Sequence, residues 1–548
     1  MRIALAQLNP VVGDIAGNTA RIADAMARAE GEGAELVVFA ELSVAGYPPR
    51  DLLRKERFIA DGVAAVESLA GRCTRIAALV GFARPARQEA GPPLQNAAAL
   101  LAGGKIAHVH VKRLLPTYDV FDETRYFQPG GKAECISIGS ARVGLTICED
   151  LWDAIALGRA LYGSDPIAEL KDRGAQVIIN MAASPYQMGK AATREEMFRR
   201  QAARSGAAVV YVNQVGGNDE LIFDGASCAL SPGGELLGRA RSFAEDLLIV
   251  DTSGPPGRCE EMPEPLPGLS AALKLGLRDY VRKCGFSSAV LGVSGGIDSA
   301  VVAALAADAL GPDNVLALAL PGRYSSQHSL TDAVALARNL GVRHRTISIE
   351  PMHAAFEAQV AEMLSAGGGE ADENIQARIR GAVVMAASNA LGHLPLATGN
   401  KSELSTGYCT LYGDMCGGLA PIGDVLKTTV YELAEQLNRE SGGERIPRAT
   451  ITKPPSAELR PHQVDQDKLP PYEVLDPIVQ RYVVDDMTAE QIVAEGFDAP
   501  TVHRVIRMVD AAEYKRKQAA AVLKVTARAF GAGRRMPIAQ RYVPSEGE

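Results

Sequence analysis

The chain has no CxxC pair. Its eight cysteines are scattered over 548 residues, too sparse for a disulfide framework, and they suit free thiols in a reducing, cytoplasmic setting. Long apolar runs are missing too. The longest are strand-sized and fall short of the ~18 residues a membrane span needs, so no membrane partner is expected. The opening MRIALAQLNP lacks the apolar stretch and cleavage site of a secretory leader and reads as the first strand of a folded domain. There is no basic surplus: 57 Lys and Arg face 65 Asp and Glu, a net charge of −8. A generally basic nucleic-acid binder is excluded, though a local basic patch is not. No internal repeat or low-complexity tract is present. What remains is ordinary globular material, 47% hydrophobic and 22% charged. At this length two domains are expected, because single cores stop growing near about 250–300 residues.

Short apolar runs at 2–8, 36–39, 76–81, 143–148, 176–180 and 207–212 alternate with helical spacing, as in Ile22, Ala25, Met26 and Ala29. That pattern predicts an α/β layer fold for residues 1–252. Residues 253–268, SGPPGRCEEMPEPLPG, carry five prolines and no periodicity, and read as a linker. From 269 to 548 the pattern restarts: helix 269–284, strand 288–293, a glycine-rich turn and an Ala/Val/Leu helix. Strands at 315–320, 345–349 and 394–397 follow, with helices at 330–340 and 374–391. This predicts a doubly wound parallel sheet. The long Pro-rich stretch 441–471 reads as a functional lid.

Three residues at strand ends have a joint chemical logic. Cys148 ends the run Val-Gly-Leu-Thr-Ile-Cys, Glu41 follows Leu-Val-Val-Phe-Ala, and Lys112 closes His-Val-His-Val-Lys. Alone, a strand cysteine is more often a core residue. As a group, a thiol, a base for its proton and a cation for the tetrahedral oxyanion make an amide-cleaving set. The contexts VVFAELSVAGYPP, VHVKRLLPTYDVFDE, GLTICEDLW and NMAASPYQMGK resemble the nitrilase (carbon–nitrogen hydrolase) superfamily over roughly residues 1–250. The resemblance implies an αββα sandwich with Glu41, Lys112 and Cys148 catalytic. In its glutamine-using branch it implies glutamine contacts from Tyr118, Ser184 and Lys190, with Glu123 a second, supporting carboxylate.

The second motif is Ser294-Gly-Gly-Ile-Asp-Ser299, after a strand and opening a helix. Glycines and a helix N-terminus aim N–H groups at an anion. Asp298 sits where only a metal or a donor would welcome a carboxylate beside phosphates. The Walker lysine is absent. The loop resembles that of the N-type ATP pyrophosphatases, which share the fold of the adenine nucleotide alpha hydrolases. The stretches 397–414, 420–427, 374–378 and 453–459 narrow this, and the whole chain resembles the glutamine-dependent NAD synthetase family.

That resemblance implies roles. Gly292, Val293, Ser294, Gly295, Gly296, Ile297, Asp298 and Ser299, with Thr398 and Lys453, would hold ATP. Asp298 and Glu403 would ligate Mg²⁺. Asn374, Glu403, Tyr408, Cys409, Thr410 and Leu411 would contact deamido-NAD, as would Lys515, with Lys517 left as the alternative. It also implies homo-oligomeric assembly and an ammonia passage between the two sites. Competing readings are a free amidase carrying a nucleotide sensor, a scaffold with a vestigial site, and another ATP-loop amidotransferase such as a GMP synthetase.

Overall fold

The computed structural model describes residues 1–87, 90–364 and 369–542. The chain divides at Glu264/Pro265 into two compact units. The second begins with helix Pro265–Lys283. The Pro-rich segment thus ends earlier than its composition suggests, since prolines in a first helical turn sacrifice no hydrogen bond.

The first unit holds two six-stranded sheets. One runs, in spatial order, Asp246–Asp251, Arg2–Gln7, Leu36–Val38, Ala77–Pro85, Leu94–Ala102 and Lys105–Val111. Its three central strands are mutually parallel and the rest antiparallel to their neighbours. The other runs Leu236–Arg239, Cys228–Leu230, Ala208–Asn213, Val177–Ala182, Ala141–Ile147 and Cys135–Ile138, with a parallel centre. Period-two alternation builds the layers. Ile3 and Leu5 share a core with Leu145, Ile147 and Ile179 of the second sheet. Ala4 and Ala6 face Ile22, Ala25, Met26 and Ala29 of helix Ile15–Gly31. Met197, Phe198 and Leu170, from helices Lys190–Ser205 and Pro166–Asp172, complete the stack. The result is an αββα sandwich.

Leu94–Ala102, LQNAAALLA, is a strand that alanine's helix propensity conceals. It is buried on both faces, and tertiary burial overrides propensity. The run 143–148 also ends one residue sooner than its composition suggests: the strand stops at Ile147 and Cys148 opens a 3₁₀ turn.

The second unit carries one fully parallel sheet in the order Arg343–Thr346, Val315–Ala319, Ala289–Gly292, Leu394–Leu396, Leu419–Ala420, Ala521–Val522. The order reverses between Ala289–Gly292 and Leu394–Leu396. A doubly wound sheet opens its crevice at such a point. Helix Ile297–Leu310 is buried nearly all round, packed against helices Pro265–Lys283 and Lys427–Ser441. The stretch 441–471 is more structured than a bare loop: it holds helix Arg448–Thr452 and a 3₁₀ turn, and it buries Ile446, Thr450 and Asp465.

Candidate active sites

In the first unit Glu41, Lys112 and Cys148 are all buried. Lys112 Nζ donates to Glu41 Oε1 at 2.7 Å and to Glu123 Oε1 at 2.8 Å. Asn96 Nδ2 donates to the same Glu41 oxygen at 2.7 Å, and the Ala183 N–H to Glu41 Oε2 at 3.2 Å. Tyr47 OH donates to Glu123 at 3.0 Å. Cys148 has φ +44°, a left-handed backbone uncommon for a residue with a Cβ. This bend lifts the thiol off the strand line, and backbone strain of this kind clusters at functional sites.

The electrostatics follow from burial. Burial, then the charge of Glu41, pushes the Cys148 thiol well above its ordinary range. Burial alone would lower the Lys112 ammonium, but Glu123 and Glu41 hold it well above its usual value. Burial raises the Glu123 carboxyl to about 7 against the pull of Lys112. At rest Cys148 is therefore a neutral thiol.

The other expected residues gather around this centre. Tyr118 OH donates to Glu149, the residue after Cys148, at 3.0 Å. Lys190 acts on Glu149 electrostatically, donates to the Pro185 carbonyl at 3.1 Å and lies 5.2 Å from the Trp152 ring centre. Ser184 adjoins Ala183 and is fixed by a two-way amide pairing with Asn213. Sequence reasoning overlooked Asn96, Tyr47, Glu149, Tyr162 and Asp150. Tyr162 OH also donates to Glu149, at 3.0 Å. Asp150 accepts from the N–H groups of Arg113 (3.0 Å), Leu114 (2.8 Å) and Ile147 (3.0 Å). Its place two residues after Cys148 was the available signal.

In the second unit a cavity of about 510 Å³ opens at the sheet's switch point. Gly292, Val293, Ser294, Gly296, Ile297, Asp298 and Ser299 line it, as do Thr398, Asn374, Glu403, Tyr408, Cys409, Thr410, Lys453 and Lys515. Gly295 and Leu411 are not among the lining residues. Gly295 has φ +78°, and a Cβ there would meet the Ser329 carbonyl oxygen at 2.3 Å. Only glycine fits both demands. Behind it Ser299 Oγ donates to the Gly296 carbonyl at 3.1 Å and accepts from the Ser294 N–H at 3.3 Å.

Asp298 accepts from Asn400 Nδ2 at 2.8 Å and from Lys427 Nζ. Lys427 Nζ lies 3.5 Å from Glu403 Oε1. Sequence reasoning gave Lys427 no role, although it closes the 420–427 stretch. Burial, then Asp298, raises the Glu403 carboxyl to about 8. The carboxyl oxygens of Asp298 and Glu403 converge on Lys427 as a set of hard oxygen donors, the ligand type that suits Mg²⁺. Thr410 Oγ1 donates to Asn374 Oδ1 at 2.8 Å. Lys515 Nζ reaches the carbonyls of Gly407 and Cys409, each at 2.7 Å. Lys517 turns toward Glu513 instead, at 3.8 Å.

A two-sheet sandwich with a buried Glu–Lys–Cys set, joined to a parallel sheet with an anion loop, defines a class: an amide hydrolase fused to an ATP-using enzyme. Residues 2–254 match the carbon–nitrogen hydrolase family and residues 269–519 the NAD synthase family. The glutamine-dependent NAD(+) synthetase of Synechocystis sp. is 47% identical, covering 99% of each chain, and that of Thermotoga maritima is 41% identical with the same coverage. The glutamine-dependent NAD+ synthetase of Acinetobacter baumannii, solved with ADP, superposes with a TM-score of 0.78 at 38% identity over 98% of each chain. The chain belongs to the glutamine-dependent NAD(+) synthetase family. Among the described residues no helix is long and apolar enough to cross a membrane.

Proposed function

We propose that the two units run the two halves of one amidation: glutamine supplies ammonia in the first, and deamido-NAD becomes NAD in the second at the expense of ATP. Family membership carries the overall reaction. What supports the assignment of residues is the bonded Glu41–Lys112 pair together with a buried thiol whose ionisation burial and the charge of Glu41 disfavour.

In the first unit Glu41 takes the Cys148 proton as Sγ attacks the side-chain amide of glutamine. The Lys112 ammonium, with the backbone N–H after Cys148, stabilises the oxyanion. The C–N bond breaks, the proton passes to the departing ammonia, and water hydrolyses the thioester to glutamate. Tyr118, Ser184 and Lys190 hold the rest of glutamine.

In the second unit the phosphate loop and Lys453 hold ATP. Asn374, Tyr408 to Thr410 and Lys515 hold deamido-NAD. Its carboxylate displaces pyrophosphate from the α-phosphorus, and ammonia then displaces AMP. Mg²⁺ bound by Asp298 and Glu403 supplies charge neutralisation at the phosphates. We further place the enzyme in the cytoplasm as a homo-oligomer, with ammonia passing between the sites without entering bulk solvent.

The test is stoichiometric. Incubation with deamido-NAD, ATP, Mg²⁺ and glutamine should give NAD, AMP, pyrophosphate and glutamate, with one AMP per NAD. Glutamate without AMP would make the chain a plain amidase and refute the reading.

A further inference from the structure

Glu458 lies five residues beyond Lys453 on the Pro-rich segment, and both line the nucleotide cavity. Its carboxylate collects four donors: the Ser326 N–H at 3.2 Å, Ser326 Oγ at 3.0 Å, Ser329 Oγ at 2.6 Å and Lys453 Nζ at 3.1 Å. Lys453 also bonds Ser329. Ser326 caps helix Gln327–Leu340, so the carboxylate faces that helix's positive end. The same first turn backs the phosphate loop, because Gly295 packs on the Ser329 backbone. Arg380, also on the cavity wall, acts on Glu458 electrostatically. A helix-end N–H, two hydroxyls and an ammonium are the donors a phosphate oxygen takes. Here the chain's own carboxylate takes them. Burial would raise the Glu458 carboxyl, but Ser329 and Lys453 hold it below the ordinary range. It is therefore an anion at neutral pH.

We propose that Glu458 is a positioning residue for the ATP step: it stores Lys453 against the wall of the phosphate loop and yields it when the nucleotide's phosphate groups enter. This rests on the ATP reading of the cavity. Two effects follow for the resting enzyme. ATP must displace a bonded carboxylate before it engages Lys453, and the triphosphate meets an added negative charge. Both weaken ATP binding, and both disappear when the charge is removed. A residue that simply held Lys453 ready for ATP would give the opposite sign.

The experiment is ammonia-dependent NAD synthesis by the full chain at saturating deamido-NAD and ammonium, using wild type and Glu458→Gln, Glu458→Ser and Glu458→Asp. In the Gln and Ser variants the KM for ATP should fall about threefold or more, since a like charge is gone from a partly buried site. The inhibition constant of inorganic pyrophosphate should fall in parallel, while kcat does not rise. The Asp variant keeps the charge and should stay near wild type. An unchanged or raised KM for ATP in the uncharged variants overturns the proposal. The Ser variant carries the same expectation as the Gln variant, so misfolding of one leaves the test standing. If wild type itself makes no NAD from ATP and deamido-NAD, the ATP reading fails and takes the proposal with it.

Discussion

Replacing Lys112 with methionine removes a buried cation from between two buried carboxylates. The ammonium lies 2.7 Å from Glu41 and 2.8 Å from Glu123. At an effective dielectric of 20 each contact is worth about 6 kcal/mol before desolvation. Much of that offsets the cost of burying the ammonium, and removing one partner of a buried pair costs about 3–5 kcal/mol net. The pH dependence has a definite sign. Glu123 already titrates at about 7 against an ordinary 4.5, and loss of Lys112 pushes it higher. A carboxyl raised in the folded state binds more protons folded than unfolded. Its contribution is complete below the unfolded value and is lost as pH rises through the folded one. The variant's deficit should therefore be larger near pH 8 than near pH 5.5. The single tryptophan, Trp152, lies in the first unit, so urea unfolding followed by its fluorescence reads that unit alone. Glutamate release should fall about 10²–10³-fold from the lost oxyanion donor, while ammonia-dependent NAD synthesis stays within twofold or so. Glutaminase activity within about tenfold of wild type, or an equal deficit at both pH values, would refute the reasoning.

Three further outcomes are expected. Cys148→Ala, which cannot form a thioester, should abolish NAD synthesis from glutamine and spare synthesis from ammonia; glutamine use by the variant would exclude Cys148 as nucleophile. Asp298→Ala should lower synthesis from either nitrogen source by orders of magnitude, because the carboxylate partner of Asn400 and Lys427 is gone; near-normal ammonia-dependent rates would remove Asp298 from the ATP step. Gly295→Ala drives a methyl to 2.3 Å from the Ser329 carbonyl oxygen at a positive φ. It should raise the KM for ATP about tenfold or more through a shifted loop, and unaltered ATP kinetics would count against the loop's rigidity.

How much of this was legible depended on distance along the chain. The glycine-rich loop at 294–299 is local, so strand, glycines and helix start could be read from adjacent residues. Cys148, Glu41 and Lys112 were legible one at a time as polar groups at the ends of apolar runs. Their bonding was not: Glu41 and Lys112 are 71 positions apart, and Asn96 joins them from a strand whose alanines suggest a helix. Lys427 reaches Asp298 across 129 positions. No periodicity announces such a pair, because only the fold brings the two together. The different directions of Lys515 and Lys517 were likewise not legible: the turn sends one toward the Gly407 carbonyl and the other toward Glu513.

Asp150 has a mechanical consequence. One buried side chain grips the amides of Arg113 and Leu114 on one strand's exit and of Ile147 on another's. The ammonium's loop and the thiol's turn are thereby riveted to a common point. A push on either sheet moves both groups as one piece, and their spacing stays constant. Beside the thiol's turn, the buried Glu149 carboxylate in its turn accepts from Tyr118 OH and Tyr162 OH.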